Sequence, residues 1–254
     1  MAVEREWQGK VAIVTGGSSG IGKATAIALT ERGANVVVTG RDPRKLEDMR
    51  GLSDAVITVE ANSADPKSAD DAVEAALARW QRLDLVVNNA GAGRPLPIES
   101  YDAVSISEIA NVNILGPSML LKAALPALRK TRGAIVNIGT AVTQGAAPAL
   151  AHYAATKAAL DHLTRSWAVE LAGEGIRVNA VAPGPVKSAA LTAMMGLSSD
   201  AAEAIERQET SQIPLGRRGV TSDIVPWILS LGAASNEWLT GQVITIDGGW
   251  SLRS

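Results

Sequence analysis

The sequence predicts an α/β fold, a doubly wound parallel sheet of about seven strands with helices on both faces. Three observations predict it. Short, β-branched apolar runs recur along the 254 residues, helix-length segments separate most of them, and glycine and proline fall mainly in the connections.

The first run, VAIVT at 11–15, is of buried-strand type and passes through a glycine-rich turn into a helical stretch at 20–32. The alternation continues with NVVVT (35–39), AVITV (55–59), LDLVV (83–87), AIVNI (134–138), RVNAV (177–181) and QVITI (242–246). Parallel strands joined this way need right-handed crossovers. Residues 188–219 break the rhythm. They read as a loop with short helices, an apolar patch at Met194 and Met195, and Pro214 and Gly216 near the far end. An excursion of that length points to a substrate lid. No repeat or low-complexity stretch divides the chain, so residues 1–254 are expected to form one domain.

Hydrophobic residues make up 46% of the chain and charged residues 20%, enough for a sizeable core and unlike a disordered composition. The formal net charge is −2, with 24 basic and 26 acidic residues interspersed, so nucleic acid is not an expected partner. There is no cysteine, and His152 and His162 alone cannot complete a transition-metal site, so no metal is expected. The charged N-terminus lacks a signal-peptide core and no apolar run approaches a membrane span. A cytoplasmic protein without a membrane partner is expected.

TGGSSGIG, Thr15 to Gly22, closes the first strand and opens the first helix, where unpaired N–H groups and the helix dipole attract a pyrophosphate. Gly16 allows the tight turn, Gly20 a close approach of cofactor to backbone, and Gly22 close helix packing, with Ser18, Ser19 and Ile21 completing the cradle. The arrangement is Rossmann-like. NNAG (Asn88 to Gly91) follows the fourth strand, Tyr153 and Lys157 form YxxxK, Pro183–Gly184 follows the sixth strand, and TGQVITIDGG stands near the C-terminus. In this order and spacing the chain resembles the short-chain dehydrogenase/reductase family over nearly its whole length.

Selectivity for NAD rests on an Asp or Glu at the end of the second strand. Gly40 stands there, followed by Arg41, whose guanidinium can fork onto a 2′-phosphate, which favours NADP(H). Otherwise Arg41 is a solvated charge or stacks on adenine, and Asp42 could still reach the ribose. The resemblance implies that Asn62 and Ser63 meet the adenine. It also implies that Asn89, Ala90 and Gly91 flank adenosine and ribose, and that the backbone of Val186 and the hydroxyl of Ser188 hold the carboxamide. Ser188 replaces the family's usual threonine.

Tyr153 and Lys157, four residues apart in the helical stretch 151–172, share a face. A phenol is a poor base at neutral pH unless a neighbouring cation favours its phenolate. By resemblance Tyr153 is the proton donor in reduction, Lys157 lowers its pKa and binds the nicotinamide ribose, and Asn113 helps hold a water leading to Lys157; Asn111, two residues earlier, is the other candidate. Thirteen residues before Tyr153 the family carries a serine, and this chain has Thr140. Threonine keeps the hydroxyl but adds a stiffening methyl. Thr143 offers a second hydroxyl, or caps the loop.

The expected activity is hydride transfer between NADPH and a carbonyl or alcohol. The alternatives are a catalytically silent dinucleotide sensor or scaffold, for which the Thr140 change speaks, and an epimerase or dehydratase of the same fold. Candidate substrate walls are Gly93, Arg94, Thr143, Gln144, His152, Pro185 and the lid around Met194. An inward Arg94 or Lys187 would favour an acidic substrate. The resemblance implies a homotetramer, with Ala154, Ala155, Ala158, Ala159, Trp227, Trp238 and Trp250 as contact candidates.

Overall fold

The computed structural model describes residues 6–252; the charged segment 1–5 and the last two residues lie outside it. Seven parallel strands form one sheet in the order β3-β2-β1-β4-β5-β6-β7. They are β1 (Val11–Val14), β2 (Asn35–Gly40), β3 (Val56–Glu60), β4 (Leu85–Asn88), β5 (Ala134–Ile138), β6 (Arg177–Pro183) and β7 (Val243–Ile246). Every expected strand is present, with ends displaced by at most two residues. The order reverses between β1 and β4, so the crevice beyond their carboxyl ends is where a dinucleotide binds in sheets of this kind.

The apolar strands run without alternation because both faces are covered. In β1, Ala12 and Val14 pack with Ala26 and Leu29 of α1 (Gly20–Glu31), Leu46 and Met49 of α2 (Pro43–Arg50), and Ile224 and Ile228 of α8 (Thr221–Gly232). Val11 and Ile13 point the other way, into Ala72 and Ala76 of α3 (Pro66–Trp80), Leu120 and Leu128 of α5 (Gly116–Thr131), and Leu171 of α6 (Ala151–Ala172). Period-two side-chain direction thus builds two cores from one sheet.

Between α4 (Ala103–Ala110) and α5 the chain takes a π-turn at Asn111–Leu115. The helical run 103–131 is long and apolar enough to cross a membrane by length and composition, which counting uninterrupted apolar residues misses because Glu108, Asn111, Asn113 and Lys122 interrupt it. Here its second half is a layer helix, burying Leu120, Leu121, Ala124 and Leu128.

The excursion holds a π-turn at Ala190–Met194 and the helix α7 (Ser199–Gln212), longer than the short helices expected. Ser198 caps it by accepting from the Ala201 N–H. Both ends of the excursion are tied together. Val186 and Gly219 form a parallel bridge, and buried Arg218 donates to the Val186 carbonyl at 3.1 Å while pairing with Glu206 and Glu209 of α7.

Candidate active site

The glycine-rich turn is held by residues far away in sequence. Gly16 has φ +60°, which only glycine adopts without strain, and a Cβ on Gly22 would stand 2.5 Å from the Gly16 carbonyl and 2.4 Å from Asn89 Nδ2. Thr15 Oγ1 accepts from the N–H groups of Asn89 and Ala90, both at 3.0 Å, while Asn89 Nδ2 donates to the carbonyls of Thr15 and Gly16. Asn89 therefore braces the turn with its side chain. Ser19 occupies the N-cap position of α1 without a side-chain cap, and no acid stands in the first turn, so its N–H groups keep their capacity for an anion.

A cleft opens beside this turn, lined among others by Thr15, Thr39, Ser63, Asp65, Ala90 and Val112. Ser63 and Ala90, read from the sequence, belong to it. Asn62 does not line it: its Oδ1 accepts from the Ala64 N–H and its own N–H donates to Ser68 Oγ. Asp65 and Val112 were not singled out, having no motif to mark them, and Thr15 opens the glycine-rich motif but was given no role of its own. At the end of β2 a Cβ on Gly40 would meet Ser18 Oγ at 2.8 Å, which sets Ser18 against Gly40, the residue before exposed Arg41. Asp42 is engaged elsewhere. Its carboxylate caps α2, accepting from the N–H groups of Arg44 and Lys45.

Across the crevice, Ser188 Cβ stands 3.8 Å from where a Gly20 Cβ would be, and Ser188 Oγ accepts from the Ala190 N–H. The bridge at Val186 uses the Pro185 carbonyl and the Lys187 N–H, not the Val186 N–H. Pro183 ends β6, and a Cβ on Gly184 would overlap Asp247 Cβ at 2.5 Å, so packing on β7 requires glycine there.

Tyr153 and Lys157 are buried on one face of α6, near the carboxyl ends of β4 and β5. Ala149, held in the left-handed region at φ 59°, sets the entry to that helix and accepts from the Leu96 N–H at 2.6 Å. Burial pushes the Tyr153 phenol up, and its hydrogen bond with Thr140 opposes this. The Thr140 hydroxyl also accepts from the Val142 N–H at 3.3 Å. Thr143 Oγ1 donates to the Thr140 carbonyl at 2.9 Å, so it closes the turn. Lys157 Nζ donates to the Ile138 carbonyl at 2.8 Å, and burial pulls its pKa down to about 8 against the opposing charge of Asp161.

Asn113 is buried and Asn111 exposed. The Asn113 amide is fully engaged: Oδ1 accepts from the Ala92 N–H, and Nδ2 donates to the Ala92 carbonyl and to Thr156 Oγ1. Its main-chain carbonyl lacks the i+4 donor of a helix because Pro117 carries no N–H. Gly91 faces both groups, its Cβ position lying 3.5 Å from Lys157 Nζ and 3.6 Å from Asn113 Oδ1. Gly93 leaves room beside Tyr153, its Cβ position lying 2.7 Å from Tyr153 Cδ2 and 3.2 Å from Met195 Cε.

Of the other wall candidates, His152 packs edge-on against Tyr101 with ring centroids 4.6 Å apart. Arg94 binds Glu108 and Ser105, and Lys187 is exposed. Arg94 is thus neutralised by its own neighbour. No group of three or more His, Cys, Asp or Glu suited to a metal occurs among the described residues.

A glycine cradle at the switch point of a parallel sheet, beside a buried Tyr/Lys pair and a hydroxyl, defines a class of oxidoreductase site. Residues 16–251 match the family described as Enoyl-(Acyl carrier protein) reductase. The 3-oxoacyl-[acyl-carrier-protein] reductase FabG of Thermotoga maritima is 34% identical over 247 residues, covering 95% of this chain and 98% of that protein. A Caenorhabditis elegans short-chain dehydrogenase/reductase of unknown function, solved with cofactor, is 34% identical with a TM-score of 0.91, covering 98% of this chain and 97% of that one. The 3-ketoacyl-(acyl-carrier-protein) reductase of Brucella melitensis, complexed with NADH, is 30% identical with a TM-score of 0.88, covering 96% and 99%. The chain belongs to the short-chain dehydrogenase/reductase family and is an oxidoreductase of that family.

Proposed function

We propose that this enzyme reduces a carbonyl compound with NADPH, or oxidises the corresponding alcohol with NADP. The observation that carries the reading is the joining of Thr140, Tyr153 and Lys157 in one buried cluster beside Gly91. The residues fit a dinucleotide: the uncapped start of α1, the glycine turn and Ser188 face one crevice. When bound, the reduced nicotinamide supplies the hydride. Ser18, Ser19, Gly20, Ile21 and Gly22 hold the pyrophosphate, Ser63 and Ala90 border the adenosine side, and the Val186 N–H and Ser188 the carboxamide side. Asn62 remains a candidate for the adenine through its Nδ2, and through the second lone pair of Oδ1, whose first accepts from the Ala64 N–H.

Preference for the 2′-phosphate rests on Arg41, exposed one residue after the Gly40–Ser18 contact, while Asp42 is held as a helix cap, removed from competition for the ribose. In reduction Tyr153 gives its phenolic proton to the substrate oxygen, and the Thr140 hydroxyl orients that oxygen. The Lys157 ammonium stabilises the phenolate left behind. The proton that Tyr153 has given up is then replaced from Lys157, which regains its own from a water held at the Asn113 carbonyl, where Pro117 supplies no i+4 donor. A substrate uncharged near the reacting carbon suits a wall where Arg94 is held by Glu108. Assembly as a homotetramer fits the exposed Ala155, Ala158 and Val169 of α6 and the fully exposed Trp238, and sedimentation tests it.

The test of the activity is a screen of aldehydes, ketones and 3-oxoacyl thioesters for NADPH oxidation, repeated with NADH. Turnover with NADPH is expected. Tight NADPH binding without turnover on any carbonyl, together with gain of activity in Thr140→Ser, would favour the silent sensor instead.

A further inference from the structure

Behind Tyr153 and Lys157 lies a third buried ionisable group. Asp161 stands one turn beyond Lys157 on α6 and is only 6% exposed. Its Oδ1 meets no donor and lies 2.8 Å from where a Gly139 Cβ would stand. Its Oδ2 is 3.4 Å from Thr143 Oγ1, whose single proton is shared between this carboxylate and the Thr140 carbonyl at 2.9 Å, the bond that closes the turn. The residue before Gly139 is Ile138, whose carbonyl accepts from Lys157. The end of β5 and the turn after it are therefore held from α6 at two points, by the Lys157 cation at the Ile138 carbonyl and by the Asp161 carboxyl at Thr143, with Gly139 leaving the room that the carboxyl occupies.

A buried carboxyl with an unpaired oxygen is costly, and packing alone would be better served by an apolar side chain. The groups facing it are few. Burial pushes the Asp161 carboxyl up, the Thr143 hydrogen bond and the Arg165 and Lys157 charges of α6 oppose this, and Asp161 is in turn the charge that acts on Lys157. The turn after β5 contributes the Thr143 hydroxyl, and β6 the uncharged Val181 and Ala182 beyond Gly139; Lys157 itself meets the Ile138 carbonyl and, across Gly91, the Asn113 amide.

We infer that Asp161 is a positioning residue of the reaction proposed above, whose buried charge keeps the Lys157 ammonium protonated and whose bond to Thr143 steadies the turn that aims Thr140. The inference rests on that reading for its kinetic consequence only. Lys157 must be charged to assist Tyr153, and burial already favours its neutral form. Removing the Asp161 charge therefore lets Lys157 lose its proton at lower pH, so activity is lost from the alkaline side while the acid side is spared.

The experiment compares the parent with Asp161→Asn, and with Asp161→Ala should the amide variant not fold. The readouts are the kcat–pH profile with NADPH and the NMR titration of Lys157 in protein carrying isotopically labelled lysine. The alkaline limb is expected to move down by about one pH unit, a roughly tenfold loss of kcat on that limb with a change of less than about threefold near pH 6. The Lys157 resonance is expected to titrate below the parent midpoint. An equal loss at every pH, with Lys157 titrating as in the parent, would overturn the inference and leave Asp161 a packing residue. A parent inactive on all carbonyls defeats the proposed activity, yet the lysine titration still decides whether Asp161 holds the charge.

Discussion

The two halves of the site are built on opposite principles. On the β1–β2 side the chain works by withholding side chains: Gly16, Gly22 and Gly40 leave the backbone and Ser18 close together, and the one charge offered, Arg41, is exposed. On the β5–α6 side it works by burying them, with Tyr153, Lys157 and Asp161 all nearly out of solvent. The first half binds through groups that cost the fold little. The second holds ionisable groups where their charged forms are disfavoured, so its chemistry and its stability oppose each other.

Substitutions on the two sides should therefore fail differently. The largest effect is expected from Tyr153→Phe, which should lower kcat by roughly 10³-fold or more while NADPH titration stays near that of the parent, since only the ionisable hydroxyl is lost. Parent-like turnover in this variant would move proton donation to another group. Next comes Thr140→Val, with a loss of about ten- to thousand-fold, whereas Thr140→Ser should stay active. Because Thr140 also accepts from Val142, the thermal midpoint must be measured beside the rate, and the serine variant separates the two roles.

On the binding side, Arg41→Ala should weaken NADPH by about tenfold and leave NADH unchanged, erasing most of the preference without touching kcat. Equal affinities for both cofactors in the parent would remove Arg41 from the phosphate site. The smallest effect concerns stability. Lys157 has a folded pKa of about 8 against 10.5 in the open chain, so between those values the unfolded state binds more protons and stability rises with pH. Below about 8 the full cost is present. Lys157→Met should therefore gain about 1–2 kcal/mol at neutral pH after losing the Ile138 bond, the gain fading as pH climbs toward 10.5, and chemical denaturation at two pH values measures it.

The sequence by itself determined the layers and the motifs. Apolar runs of β-branched residues bounded by glycine can only be strands covered on both faces, and α6 spans the same residues, 151–172, that its pattern marks. Thr140, Tyr153, Lys157 and Asn113 were picked out because each stands at the spacing of a motif of the family that the chain resembles, and the structure gathers the first three with Gly91 at the ends of β4 and β5. The excursion was legible as a break in rhythm but not as a capped helix of four turns, since α7 is too polar to carry a strong apolar stripe.

What the tertiary structure alone decided are the groups whose meaning lies in a partner far along the chain. Thr15 braces Asn89 across 74 residues, Arg218 seats the excursion on the Val186 carbonyl across 32, and Asp161 reaches Thr143 across 18. Asp42, an ambiguous acid in the sequence, proved to be the cap of α2. No local pattern distinguishes such residues from solvated polar ones. The physical reason is that burial and hydrogen-bond partnership are properties of two elements brought together, whereas periodicity and spacing are properties of one.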